Sequence, residues 1–146
     1  MKKVLISLFV ICTIAKAQIL KPVTWSYEAK RISASEAVIF LKANIDNGWH
    51  IYSQHMANDG PTKTVFAYTP SKSYKLNGKT IEPRPIGHFD KVFGMQVGYF
   101  EHQVIFQQKI KLQSTQTIAV KGTIEYGTCN DHQCLPPEDI KFSIKL

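Results

Sequence analysis

The chain has few cysteines, no long apolar stretch beyond its first 17 residues, and no run of basic side chains. Each absence excludes something. Without a further apolar run of ~18 to 20 residues, nothing after Ala17 reads as a helix that spans a bilayer. Without clustered Lys and Arg there is no footprint for nucleic acid. No aromatic ladder is present that would make a carbohydrate or nucleotide platform. No internal repeat, low-complexity segment or obvious linker divides the chain.

The first residues carry an export pattern. Lys2 and Lys3 are followed by an apolar run, Val4 to Ala15, broken only by Ser7 and Thr13. Ala15-Lys16-Ala17 is a small-x-small cleavage signal, so residues 1–17 read as a secretory signal peptide and Gln18 as the mature start. A membrane anchor needs a longer run. A lipoprotein reading at Cys12 fails because Ile11 stands where a small residue is needed. Cleavage would remove Lys2, Lys3 and Lys16, and net charge would fall from +7 to +4. Residues 18–146 fit one domain. Of three cysteines, Cys129 and Cys134 would remain, and in an oxidising compartment such a pair is joined.

Hydrophobic alternation indicates an all-β fold. Val23, Trp25, Tyr27 and Ala29 alternate with Thr24, Ser26, Glu28 and Lys30, which is the period of a strand with one wet face. Ala37, Ile39, Leu41, Ala43 and Ile45 repeat the pattern. A helix is the competing reading over 35–46, but the Ile and Val content favours a strand. Asn47-Gly48 suggests a hairpin returning through Trp49, Ile51 and Tyr52. Further strands are expected at Thr64 to Tyr68, near Thr80 to Glu82, and in one run from Val97 to Leu112. Ile118, Val120, Gly122, Ile124 and Tyr126 alternate, as do Phe142, Ile144 and Leu146. Pro61, Pro70, Pro83 and Pro85 fall between strands, where a missing N–H does no harm. Many short strands with turn chemistry between them point to an antiparallel sandwich.

Cys129 and Cys134 flank four residues of turn-forming type, Asn130 to Gln133, and Pro136-Pro137 stiffen the exit. If the cysteines face one another across a tight connection, their Cα atoms come about 5 Å apart, within disulfide range. As a staple the bond is weak, because closing so short a loop contributes roughly 2 kcal/mol. A local, accessible pair suits thiol–disulfide exchange, in which a thiolate attacks one sulfur and the other leaves. A structural bridge remains open on spacing alone. Zinc held by Cys129, Cys134 and His132 lacks a fourth ligand and the usual paired spacing. No metal or cofactor is expected.

The motif Tyr126-Gly127-Thr128-Cys129, then Cys134-Leu135-Pro136-Pro137-Glu138, resembles the active-site hairpin of the N-terminal periplasmic domain of the thiol:disulfide interchange protein DsbD. Asn47-Gly48-Trp49-His50-Ile51-Tyr52 is similar to that family's Gly-aromatic-x-x-Tyr segment, with His50 in place of an aromatic. Asp90-Lys91-Val92-Phe93-Gly94 stands where the family has its cap loop, with Lys91 and Val92 replacing an acid and an aromatic. The cysteine loop is one residue shorter than in the best-known members. The resemblance implies an immunoglobulin-like antiparallel β-sandwich with the cysteine pair at one end. It implies that Cys134 forms the mixed disulfide and Cys129 resolves it. Phe93, or else Val92, would shield Cys134, while Tyr52, Tyr126 and His132 line the site.

The family's activity implies a periplasmic relay. Such a domain takes electrons from a thioredoxin-like donor and passes them to periplasmic thioredoxin-like proteins through transient mixed disulfides, including those of cytochrome c maturation. It would be a component of a protein-disulfide reductase. No Cys-x-x-Cys or membrane conduit follows here, so a separate membrane electron donor and a monomeric module are expected. The alternative is a non-catalytic, exported interaction domain whose disulfide is only a local brace.

Overall fold

A computed structural model of the protein describes residues 20–146 apart from Val92. The segment read as a signal peptide, and Val92 as a shield candidate, lie outside the described residues. Those described form eleven strands and no helix. They are β1 (Val23–Arg31), β2 (Glu36–Ile45), β3 (Trp49–Tyr52), β4 (Val65–Tyr68), β5 (Tyr74–Leu76), β6 (Ile86–Asp90), β7 (Met95–Glu101), β8 (Gln103–Leu112), β9 (Ala119–Tyr126), β10 (Thr128–Asn130) and β11 (Glu138–Lys145).

Every ladder between these strands is antiparallel, in three sheets ordered β1-β2-β8-β5, β10-β3-β7-β6 and β11-β9-β4. The alternation seen in sequence selects the core face. In β2, Ala37, Ile39, Leu41, Ala43 and Ile45 are buried; in β8, Val104, Phe106, Gln108, Ile110 and Leu112 are. Val120, Ile124, Phe142 and Ile144 of the β11-β9-β4 sheet meet them in one cluster. Trp49, Ile51 and Phe100 of the β10-β3-β7-β6 sheet join the same cluster. The expected helix-or-strand choice over 35–46 resolves as a strand, because its apolar period is two on a face that is fully covered.

Three expectations are corrected. Asn47-Gly48 does turn the chain, with Gly48 at φ +80° and Trp49 N–H donating to Asp46 O at 3.1 Å. It does not close a hairpin, since β2 and β3 belong to different sheets. The run from Val97 to Leu112 is two strands, β7 and β8, again in different sheets. The break is at His102, whose φ is +59° and whose carbonyl accepts from Ile45 N–H at 2.8 Å. Both turns sit where the chain steps between sheets, and alternation runs through such a step without a sign. Near Thr80 to Glu82 there is only one bridge, Ile81 to Gln107.

Candidate functional site

The β10-β3-β7-β6 sheet has two working faces. The face carrying Ile51 and Phe100 enters the main core. Period-two geometry then turns their neighbours the other way. Register brings those neighbours together: Cys129 is opposite His50, His50 opposite Glu101, Tyr52 opposite Tyr99, and Val97 opposite His88. This second face is the floor of a cleft of about 620 Å³. Buried on this same side of the sheet is a small apolar cluster of Tyr52, Met56, Val97 and Cys129, with Met95 and Tyr99 packed on it.

The cysteine loop is a tight hairpin. Asn130 N–H donates to Gln133 O at 2.9 Å, and Leu135 N–H donates to Thr128 O at 2.9 Å. Cys129 and Cys134 fall between these bonds, directly opposed, and are joined as a disulfide with Cα atoms 4.0 Å apart. Asn130 Oδ1 accepts from the N–H groups of His132 and Gln133, both at 2.8 Å. That side chain substitutes for a backbone acceptor, which is why a short polar residue begins the turn. The Gly127 of the motif also has a local cause. A Cβ there would sit 2.8 Å from Thr62 O, the same oxygen that accepts the Gly127 N–H at 3.2 Å.

The two sulfur-bearing residues differ in access. Cys129 is 4% exposed, whereas Cys134 lies at the surface. Thr128, buried beside the main core, donates its hydroxyl to His50 O at 3.0 Å and so pins β10 to β3.

Across the cleft stands the β6–β7 turn. Asp90 pairs with Met95, and between them Phe93 N–H donates to Asp90 Oδ1 at 3.2 Å. Gly94 at φ +63° completes the turn in a conformation that disfavours other residues. Lys91 and Phe93 are exposed and line the same cleft as the disulfide.

Of the residues expected at the site, Cys129, Cys134, Tyr52, Asp90, Lys91, Phe93 and His132 meet at this cleft. Gly94 lies in the β6–β7 turn and is not among the residues that line the cleft. Tyr126 is elsewhere: it is 1% exposed and packs on Trp25 in the main core, with ring centroids 5.6 Å apart. It stands three positions before Cys129, an odd offset, so the two side chains leave opposite faces of the chain. Sequence reasoning missed Tyr99, Glu101, Val97 and His88 as walls of the cleft. It also missed Met56, which joins the apolar cluster of Cys129 from the loop after β3.

Electrostatics at the cleft follow from burial. His50 Nε2 is 3.1 Å from the Tyr52 hydroxyl. Burial pushes the His50 imidazole below its usual range, against the pull of Glu101, Asp131 and Asp90. Burial, then the Asp90 charge, push the Tyr52 phenol up to about 12. No group of three or more His, Cys, Asp or Glu side chains suited to a metal ion occurs among the described residues.

Residues 16–146 match the family model of the thiol:disulfide interchange protein DsbD, N-terminal. The chain belongs to the DsbD N-terminal domain family. Its fold is the immunoglobulin-like sandwich of that family. Among solved structures, the DsbD N-terminal domain of Neisseria meningitidis in the reduced form shares 18% identity at a TM-score of 0.52, over 80% of this chain and 81% of that one. The N-terminal periplasmic domain of ScsB from Proteus mirabilis shares 18% identity at a TM-score of 0.61, over 87% of this chain and 47% of that one. The complex between the DsbD N-terminal and PilB N-terminal domains of Neisseria meningitidis matches at 15% identity and a TM-score of 0.55, over 86% of this chain and 87% of that one. At these identities the structures speak for the fold. Comparison with curated proteins gives no significant match. Family membership and a joined cysteine pair are together consistent with thiol–disulfide exchange.

Proposed function

We propose that the protein is a periplasmic thiol–disulfide exchange module with asymmetric cysteines, Cys134 being the sulfur attacked and Cys129 the one that resolves. The observation that carries this reading is the unequal burial of the pair. Exchange needs an in-line approach of a thiolate to one sulfur while the other departs. Only Cys134 offers such an approach, and Cys129 departs into a small apolar cluster. A brace would gain little here, since the hairpin already has its own ladder bonds and the Asn130 turn.

The partners in this reading are thioredoxin-like proteins of the periplasm, met through transient mixed disulfides. The recorded complex of a DsbD N-terminal domain with a PilB domain supports a protein partner for the family. A separate membrane protein supplies electrons, and the module works as a monomer after its signal peptide is cleaved following Ala17. Residues 90–94 shield Cys134 until a partner displaces Phe93. The test is the reduction potential of the Cys129–Cys134 pair in a glutathione or thioredoxin buffer. An exchange disulfide lies above the range of inert structural bridges, which sit below about −300 mV. A value below about −300 mV, inside that range, rejects the reading.

A further inference from the structure

His50 takes no part in the exchange step above, yet it is the ladder partner of the resolving cysteine. β3 and β10 pair so that His50 lies directly opposite Cys129, and directly opposed residues of an antiparallel pair share a face. Both side chains line the cleft. Cys129, once a thiol, must lose its proton before it can attack. It is buried among Tyr52, Met56 and Val97, away from bulk water that could take the proton. The other residues of β10 offer no base, since Thr128 faces Ile51 and Asn130 faces Trp49.

The histidine is held for the task. Its Nε2 is tied to the Tyr52 hydroxyl at 3.1 Å, and its ring packs on Tyr99 with centroids 4.9 Å apart. Its Nδ1 has no hydrogen-bond partner among the described residues.

We propose that His50 is the general base of the resolving step, taking the proton from Cys129 Sγ as that sulfur attacks Cys134 Sγ in the mixed disulfide. The Cys129–Cys134 bond forms and the bond from Cys134 to the partner breaks. The electron pair leaves on the partner's sulfur, so the cysteine pair is oxidised and the partner's disulfide is reduced. The proton passes from His50 to the departing thiolate. This inference rests on the exchange reading and adds a residue to it.

The surroundings fit a base that must be neutral at rest and cationic in passing. Burial keeps the imidazole neutral near pH 7. Glu101 on β7, Asp131 in the β10 turn and Asp90 on β6 favour the imidazolium once it forms, with His88 on β6 opposing them. The Tyr52 phenol stays protonated throughout and keeps the ring tethered.

The test uses the reduced protein and one equivalent of dithiobis(nitrobenzoate) in a stopped-flow instrument. The first nitrothiobenzoate is released when Cys134 attacks, the second when Cys129 resolves. In His50→Phe and His50→Gln the second release is expected to slow by about a hundredfold, the low end of general-base effects, with the first unchanged. In the wild type the second release slows as pH falls through a midpoint below 6.5, the ordinary histidine value, and both variants lose that inflection. A second release in either folded variant that matches wild type in rate and pH profile overturns the proposal and leaves the exchange reading intact. A wild-type protein that gives no first release through Cys134 overturns the exchange reading and this inference with it.

Discussion

Cys129 and Cys134 face one another across a hairpin with Cα atoms 4.0 Å apart, yet one is buried and the other lies at the surface. That asymmetry predicts unequal thiols. In the reduced protein, iodoacetamide is expected to modify Cys134 at least about tenfold faster than Cys129, since reactivity follows access to the thiolate. Peptide mapping after brief alkylation measures it. Equal modification would mean that burial does not separate the two.

The β6–β7 turn predicts a second effect. Phe93 is 36% exposed and lines the cleft with the disulfide. Phe93→Ala is expected to speed reduction of the disulfide by a small dithiol several-fold. Stability should move by no more than about 0.5 kcal/mol, as for other surface changes. An unchanged rate would remove the shield role from Phe93.

The sequence made the strands of the sandwich easier to read than the walls of the cleft. β1, β2, β9 and β11 each alternate exposed residues with buried or half-buried ones, so their periods were visible. β6 is an exposed edge strand, Ile-Gly-His-Phe-Asp, with almost no burial and no period. The cysteine motif was legible because its turn chemistry is local. Tyr99 and Glu101 were not, because they reach the cleft through the pairing of β7 with β3, and register between distant strands leaves no mark on either strand alone. Parity could have removed Tyr126 from the site, since it stands an odd number of residues before Cys129.

Gly122 tests the core itself. It pairs with Phe142 across β9 and β11, and a Cβ there would come within 2.3 Å of Ala67 O and 2.6 Å of the Phe142 ring. Gly122→Ala is expected to cost about 1 to 3 kcal/mol, the usual range for overpacking. Urea unfolding measures it. A neutral result would mean that β4 and β9 can separate freely.

Buried phenols predict an alkaline limit. Tyr52 and Tyr68 are each pushed up to about 12, mainly by burial, against about 10 in an unfolded chain. The unfolded state therefore gives up protons first as pH rises from 10 toward 12, and stability falls across that window. Below pH 10 both states hold the phenol protons and the effect vanishes. Tyr68→Phe is expected to flatten the loss in urea midpoints measured from pH 9 to 12. A wild-type midpoint that stays constant over that range would contradict the burial of these groups.

The central claim is that Cys134 forms the bond to a partner. Its most direct test is capture of a mixed disulfide by the Cys129→Ser protein with an oxidised periplasmic thioredoxin-like protein, resolved by non-reducing electrophoresis and mass spectrometry. A covalent complex through Cys134 that dithiothreitol dissolves, and that the Cys134→Ser protein does not form to a comparable extent, is the predicted result. No complex through Cys134, or an equally abundant one through Cys129, would contradict the account.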